Sequence, residues 1–212
     1  LIISAVIPAY NEEDRIENVI IPTLNSGVIS NIIVVDDGSD DSTSDVVLKY
    51  DNIDLIKMNK NCGKAAATKT GIKYCLSKKS DIIILLDADL IGLTTKHIEL
   101  LTLPVVDEEY DMTIGIFKSG RLVTDLAQLI APNLSGQRAM KAYIANEILD
   151  LQVTGYGIEM SISKLIKKNN LNVCNVVLEN MGQTTKEEKI GFIKGVMWRI
   201  KMYKDIVKHW IE

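Results

Sequence analysis

A chain of 212 residues, 47% hydrophobic and 25% charged, with 13 glycines and only 4 prolines, has the composition of a folded globular protein and excludes a largely disordered or fibrous one. At this length about 70% of the unfolded surface is buried on folding, enough for a core without covalent staples. The formal net charge of −4 argues against bulk nucleic-acid binding, which draws on many Lys and Arg contacts to phosphates.

The first half alternates regularly. Residues 2–7 are apolar, rich in Ile and Val, and stop at Pro8, which predicts a strand. Residues 12–25 carry helical apolar spacing (Ile16, Val19, Ile20, Leu24), with Glu12, Glu13 and Asp14 in the first turn, where the helix dipole favours acids. A second strand at 32–35 is closed by Asp36-Asp37-Gly38-Ser39, and Asp41 or Ser42 caps a helix to about Tyr50. A third strand follows at 53–58, an Ala-rich helix at 64–77, and a fourth strand at 82–86, ending at Asp87. Later, a strand is expected at 112–117, a loop with a short helix at 118–137, helices at 138–150 and 158–168, and a last strand at 173–178. An amphipathic helix is expected from Glu187 to Trp210, with Ile193, Val196, Met197, Ile200, Tyr203 and Val207 on one side.

Continuous apolar strands alternating with helices predict an α/β fold, a mostly parallel sheet covered on both faces. Ligands of such sheets bind beyond the carboxyl ends of the strands. Four polar clusters sit at those ends and converge on one rim: Tyr10-Asn11-Glu12, Asp36-Asp37-Gly38-Ser39, Asn61-Cys62-Gly63-Lys64 and Asp87-Ala88-Asp89. In the last, residues i and i+2 share one face of an extended chain, so both carboxylates can address one cation. Two hard anionic oxygens suit Mg²⁺ or Mn²⁺, which also take phosphate oxygens and water; the alternative is a solvated loop. Asp36 and Asp37 either start a helix or read the donors of a base or ribose. Glu12 either favours a helix N-terminus or binds a ribose hydroxyl. Gly63-Lys64 combines a closely approachable backbone with a cation. The chain has neither the Gly-x4-Gly-Lys-Ser/Thr loop nor a Gly-rich dinucleotide turn.

In order and spacing these four clusters, extended to Val6-Ile7-Pro8-Ala9 and Val34-Val35, resemble the family-2 glycosyltransferases over about residues 2–90. The resemblance implies a GT-A, Rossmann-like fold in which the first three clusters cradle a nucleoside diphosphate sugar and Asp-x-Asp holds the metal. Pro8, Ala9, Tyr10, Glu12, Asp37, Gly63 and Lys64 then bind the donor, with Asp87 and Ala88 beside its diphosphate, and Asp87 and Asp89 on the metal. Three later segments, Gly120-Arg121-Leu122-Val123-Thr124, Leu134-Ser135-Gly136-Gln137 and Gly155-Tyr156-Gly157-Ile158-Glu159, are similar to glucosyl-3-phosphoglycerate synthases. This implies an acceptor site at Gly120, Arg121, Thr124, Gly155 and Tyr156, and places Glu159 beside the donor sugar. Leu122 is an insertion relative to that pattern. Where that family has a late metal-binding His, this sequence has Gln183-Thr184, so Gln183 is expected as a weaker metal ligand.

The expected reaction is sugar transfer to an acceptor hydroxyl or phosphate, with UDP-glucose the favoured donor and Asp89 and Glu159 as catalytic residues. The acceptor is 3-phosphoglycerate, another small phosphorylated alcohol or a polyprenyl phosphate. Family-2 members invert the anomeric centre and the synthases retain it. A nucleotidyltransferase and a nucleotide-sugar-binding protein without turnover are the competing classes. Glu159 is otherwise a helix N-terminal acid, and Arg121 otherwise a solvated loop residue. The expected division is a domain at 1–185, with a nucleotide half (1–90) and an acceptor half (91–185), and a helical extension at 186–212. That extension, with seven Lys/Arg against three Asp/Glu from Lys186 to Lys208, packs on its own domain, pairs a homodimer or rests on an anionic membrane surface.

Three cysteines (Cys62, Cys75, Cys174), odd in number and widely spaced, and two histidines (His97, His209) suit a reducing compartment and leave little material for a zinc site. His97 is expected on a helix surface and Cys62 as a bystander thiol. The chain opens Leu1-Ile2-Ile3, without the pattern of a secretory leader, and its densest apolar run, 82–86, falls far short of the roughly 20 residues of a membrane span. The expectation is a cytoplasmic protein with a trimmed N-terminus.

Overall fold

A computed structural model describes residues 1–118, 135–152 and 157–183. Seven strands form one sheet: β1 (Ile3–Ala9), β2 (Asn31–Asp36), β3 (Ile53–Lys57), β4 (Ile82–Leu85), β6 (Met112–Lys118), β7 (Arg138–Lys141) and β8 (Val173–Glu179), in the order β3-β2-β1-β4-β7-β6-β8. The pairs β1–β2, β1–β4, β2–β3 and β6–β8 are parallel, whereas β7 runs antiparallel to both its neighbours, β4 and β6. β5 (Leu90–Ile91) and β9 (Gly182–Gln183) make a separate two-stranded ladder. The helices are α1 (Glu17–Leu24), α2 (Thr43–Val47), α3 (Lys64–Ser77), α4 (Thr95–Val106), α5 (Ala142–Asp150) and α6 (Gly157–Lys168).

Alternate residues of the central strands enter different cores. Ala5, Ile7, Ile32, Val34, Ile82 and Ile84 join the layer that holds Ile16 and Ile20 beside α1 and Ile98 and Leu101 of α4. Val6, Ile33, Val35, Ile83 and Leu85 join the layer with Ile72 of α3, Ile144 of α5 and Ile162 of α6. Burial on both faces is why these strands read as unbroken apolar runs. The chain goes from β1 outward to β2 and β3 and then returns to β4 on the other side of β1. That reversal opens a crevice beyond the carboxyl ends of β1 and β4.

Several expected elements differ. The stretch 138–150, expected as one helix, is strand β7 followed by α5. Arg-Ala-Met-Lys has little strand propensity, but pairing with β4 on one side and β6 on the other overrides it. α1 begins at Glu17, because residues 12–16 form a turn in which the Glu12 carbonyl accepts from Arg15 and Ile16. α2 is only five residues long. His97 is buried and closes the capping box of α4, its Nδ1 accepting from the Thr94 N–H. It is therefore not a surface residue. The expected helix at 187–210 lies outside the described residues.

α3 lies close on the sheet because Gly71 has no side chain: a Cβ there would stand 2.3 Å from Cγ1 of Val6 and 3.2 Å from Cγ2 of Val35. Both valines are fully buried and stiff at χ1. Overpacking costs about 1–3 kcal/mol, against a helix-propensity gain of about 1 kcal/mol for Gly→Ala. Gly71→Ala is therefore expected to lower the urea unfolding midpoint; an unchanged or higher midpoint would show that the α3–β1 contact yields freely.

Candidate active site

The first three clusters are tied together by hydrogen bonds at the rim. Asn11, at φ 56°, takes Ser39 Oγ on its N–H at 3.0 Å and accepts from the Asp40 N–H through Oδ1 at 2.9 Å. The Glu12 N–H donates to Thr43 Oγ1 at 2.8 Å. Asp36 is buried and accepts from the Ser39 N–H and the Ser44 hydroxyl. Asp37, also buried, accepts from the N–H groups of Cys62 at 2.8 Å and Gly63 at 2.7 Å, one to each oxygen. Its carboxylate thus shapes the loop that delivers Lys64. The Glu12 carboxylate, buried as well, accepts from Arg15 Nε at 2.6 Å. Tyr10 is exposed, its hydroxyl 3.5 Å from Asp40 Oδ2.

The fourth cluster meets them in the crevice between β1 and β4. Pro8, Lys64, Asp87, Gly136, Arg138 and Glu159 line a small, partly open pocket of about 10 Å³. Lys64, the first residue of α3, sits between two acids, with Nζ 2.6 Å from Asp87 Oδ1 and 2.8 Å from Glu159 Oε1. Burial works against its charge, but Asp87 and Glu159 outweigh burial and hold its pKa well above the ordinary lysine value. Glu159 is in the first turn of α6. It is buried, and its Oε2 has no hydrogen-bond partner among the described residues. Gly136 leaves room for this arrangement: a Cβ there would stand 2.6 Å from Asp87 Oδ2 and 2.9 Å from Lys64 Nζ.

Asp87 and Asp89 are half-buried, with Ala88 buried between them; β4 ends at Leu85 and Ala88-Asp89 form a turn, so this stretch is not the extended chain that the i, i+2 spacing predicted. Asp89 lies within the electrostatic reach of Arg15. The antiparallel ladder places Gln183 opposite Leu90, so the backbone of the expected late ligand arrives one residue from Asp89. Among the described residues no group of three His, Cys, Asp or Glu side chains could hold a metal ion. The carboxylates of Asp87 and Asp89 are nevertheless of the kind that suits Mg²⁺ or Mn²⁺, which commonly bind through one or two carboxylates and fill their shells with phosphate oxygens and water. Gly120, Arg121, Thr124, Gly155 and Tyr156 lie outside the described residues.

Sequence reasoning missed Arg138. Its side chain is fully buried, with Nε donating to the Ser135 carbonyl at 2.9 Å. Burial pushes its pKa down to about 10, against the pull of Glu159 and Asp87. The available signal was an arginine two residues after Gly136 and directly before the apolar pair Ala139-Met140. Arg15 was missed too, because its role depends on the turn that precedes α1.

A sheet with a crevice at its topological switch, rimmed by acids and one lysine, has the layout of a ligand-binding α/β fold. The Glycosyl transferase family 2 profile matches residues 4–163, and the chain belongs to this family. An uncharacterized protein of Methanocaldococcus jannaschii is 32% identical over 201 residues, 84% of this chain and 81% of its own. A UDP-N-acetylglucosamine–dolichyl-phosphate N-acetylglucosaminyltransferase of Methanococcus voltae is 27% identical over 222 residues, 85% of this chain and 86% of its own. Glucosyl-3-phosphoglycerate synthase from Mycobacterium tuberculosis, in a crystal structure with Mn²⁺, UDP and glucosyl-3-phosphoglycerate, superposes with a TM-score of 0.70 at 23% identity, over 87% of this chain and 72% of its own. Another structure of that synthase carries Mg²⁺ and UDP. No helix among the described residues is long and apolar enough to cross a membrane.

The pH dependence of the Lys64 cluster follows from the direction of its shift. The folded pKa lies above the unfolded value of 10.5, so the stabilisation is complete below that pH and is lost as pH rises through the folded pKa. The stability difference between the native protein and Lys64→Met is expected to be constant through neutral pH and to shrink only above about pH 10.5. Urea unfolding at a series of pH values measures it, and a difference that shrank between neutrality and that point would contradict the ion-pair assignment.

Proposed function

We propose that this family-2 glycosyltransferase moves a hexose from a nucleoside diphosphate sugar, with UDP-glucose favoured, to a small phosphorylated acceptor such as 3-phosphoglycerate. The observation that carries this reading is the cleft at the switch point, where Lys64 is held between Asp87 and Glu159 and Glu159 Oε2 has no partner among the described residues. A buried acceptor oxygen without a donor suits a sugar or acceptor hydroxyl. Glu12 and Asp37 hold the nucleoside side of the rim, together with Pro8, Ala9, Tyr10 and Gly63. Lys64 lies at the N-terminus of α3, where a diphosphate would meet both the ammonium and the positive end of the helix dipole.

Asp87 and Asp89 are the residues that would hold Mg²⁺ or Mn²⁺, with Gln183 as a weaker neighbour. When bound, such an ion neutralises negative charge on the departing diphosphate. Lys64 contributes in the same sense, as a fixed cation that needs no reorganisation during the reaction. Glu159, in the wall of the cleft, orients the sugar or takes the acceptor proton. Residues 1–90 then form the donor half and 91–185 the acceptor half, with Gly120, Arg121, Thr124, Gly155 and Tyr156 holding the acceptor and 186–212 an extension. A polyprenyl phosphate acceptor is the second reading, supported by the likeness to the Methanococcus voltae enzyme across most of both chains.

Calorimetric titration of UDP, GDP and their sugars, with and without Mn²⁺ or Mg²⁺, tests the donor assignment. Metal-dependent binding of one nucleotide is the expected outcome, and absence of binding by all of them would refute it. Asp89→Ala is expected to abolish the metal-dependent part of that binding at an unchanged unfolding midpoint, because a rim carboxylate contributes little to the core. Gly136→Ala forces a methyl group against the Asp87 carboxylate and should weaken donor binding roughly 10-fold, the equivalent of modest overpacking. Unaltered affinity in Gly136→Ala would place the donor away from Asp87.

A further inference from the structure

An α-helix leaves its last four carbonyls without partners of its own. They are commonly met by a glycine turn or a basic side chain at the helix end. α5 has neither: its last residue is Asp150, Leu151 caps it in an extended conformation, and Gln152 follows. The missing donor comes from another element. Lys69, in the second turn of α3, donates from Nζ to the Leu149 carbonyl at 3.0 Å and to the Leu151 carbonyl. Lys69 is half-buried and makes no ion pair among the described residues. Its contacts are thus to the backbone at the negative end of a neighbouring helix.

The same helix carries Lys64, whose Nζ lies 2.8 Å from Glu159 Oε1 in the first turn of α6. The two lysines are about 7.5 Å apart along the axis of α3. α3 therefore grips the chain twice, once at the end of α5 and once just inside α6. Only residues 152–156 join the two grips, a link that spans about 20 Å at most, so the place of Leu151 bounds where α6 can begin. Ile158, Ile162 and Leu165 hold the body of α6 in the core. Glu159, however, is in its first turn, and helix ends fray.

We propose that Lys69 is a positioning residue: it pins the end of α5 so that the first turn of α6 forms where Glu159 meets Lys64, and it acts on the transfer reaction only through that placement. Lys69 is not among the residues that line the pocket. The catalytic consequence rests on the reading of Lys64 and Glu159 given above, whereas the pinning rests on the hydrogen bonds alone.

The experiment compares Lys69→Met, which removes both donors and keeps an unbranched stem, with Lys69→Arg, which keeps a cation able to donate twice. Its decisive reading needs no nucleotide. Urea unfolding of Lys64→Met, Glu159→Gln and the double variant gives the coupling between those two side chains. The coupling should be clear in the native background, largely lost in the Lys69→Met background and restored with Lys69→Arg. A lysine that merely added stability would lower every midpoint and leave the coupling unchanged, and that result would overturn the proposal. Lys69→Gln replaces Lys69→Met if the latter does not fold. With UDP-glucose, Mn²⁺ and 3-phosphoglycerate, Lys69→Met should lower kcat roughly 10- to 100-fold, the scale of a misplaced reacting group. Affinity for UDP with Mn²⁺ should stay near the native value, because Lys64, Asp87 and Asp89 remain. A native kcat in folded Lys69→Met would also count against the proposal. If the coupling were lost as expected while native protein bound no UDP with Mn²⁺, the pinning would stand and the donor assignment would fall.

Discussion

The structure of the site depends on one contact, the ammonium of Lys64 between the carboxylates of Asp87 and Glu159. These three residues come from the start of α3, the end of β4 and the first turn of α6, elements separated by up to 95 positions in the chain. Without the cation, the two carboxylates would repel each other with no counter-charge between them. Lys64 is in turn delivered by the loop that Asp37 holds through the Cys62 and Gly63 N–H groups. Gly136 keeps the space around the contact clear. The contact therefore connects the first half of the chain, which carries Lys64 and Asp87, to the later half, which carries Glu159.

The first half of the chain was legible in the sequence because β1, β2 and β4 are buried on both faces and all four strands are followed by polar clusters. The strands at 2–7, 32–35, 53–58 and 82–86 lie within a residue or two of β1 to β4, and the helix at 64–77 is α3 itself. The convergence of the four clusters follows from parallel pairing, which brings all the carboxyl ends to one rim. The family-2 likeness, carried by those same clusters, agrees with the profile match and with the fold.

The later half of the chain was less legible, and for a physical reason. β7 is four residues of helix-forming or long polar side chains, and it becomes a strand only because two neighbours pair with it. Such a segment has no local signature, since its conformation is decided by residues more than twenty positions away. Arg138 was hidden with it. A fully buried arginine cannot be told from a solvated one when its element is taken for a surface helix. His97 shows the same limit on a smaller scale. Its ring is used as a cap, a function set by the backbone of Thr94 rather than by the pattern of α4.

The position of β7 also affects how the chain comes off the ribosome. β1 to β4 lie next to one another in the sheet and can pair soon after they are made, with little cost in loop closure. The outer edge of β4, whose four residues are Ile82, Ile83, Ile84 and Leu85, stays unpaired until β7 is synthesised about fifty residues later. At about 5–20 residues per second that interval lasts several seconds. During it the nascent chain presents a short, fully aliphatic strand edge, a template for pairing with other chains. The first half of the chain can thus be assembled early yet remain dependent on the later half, less for its shape than for protection from aggregation.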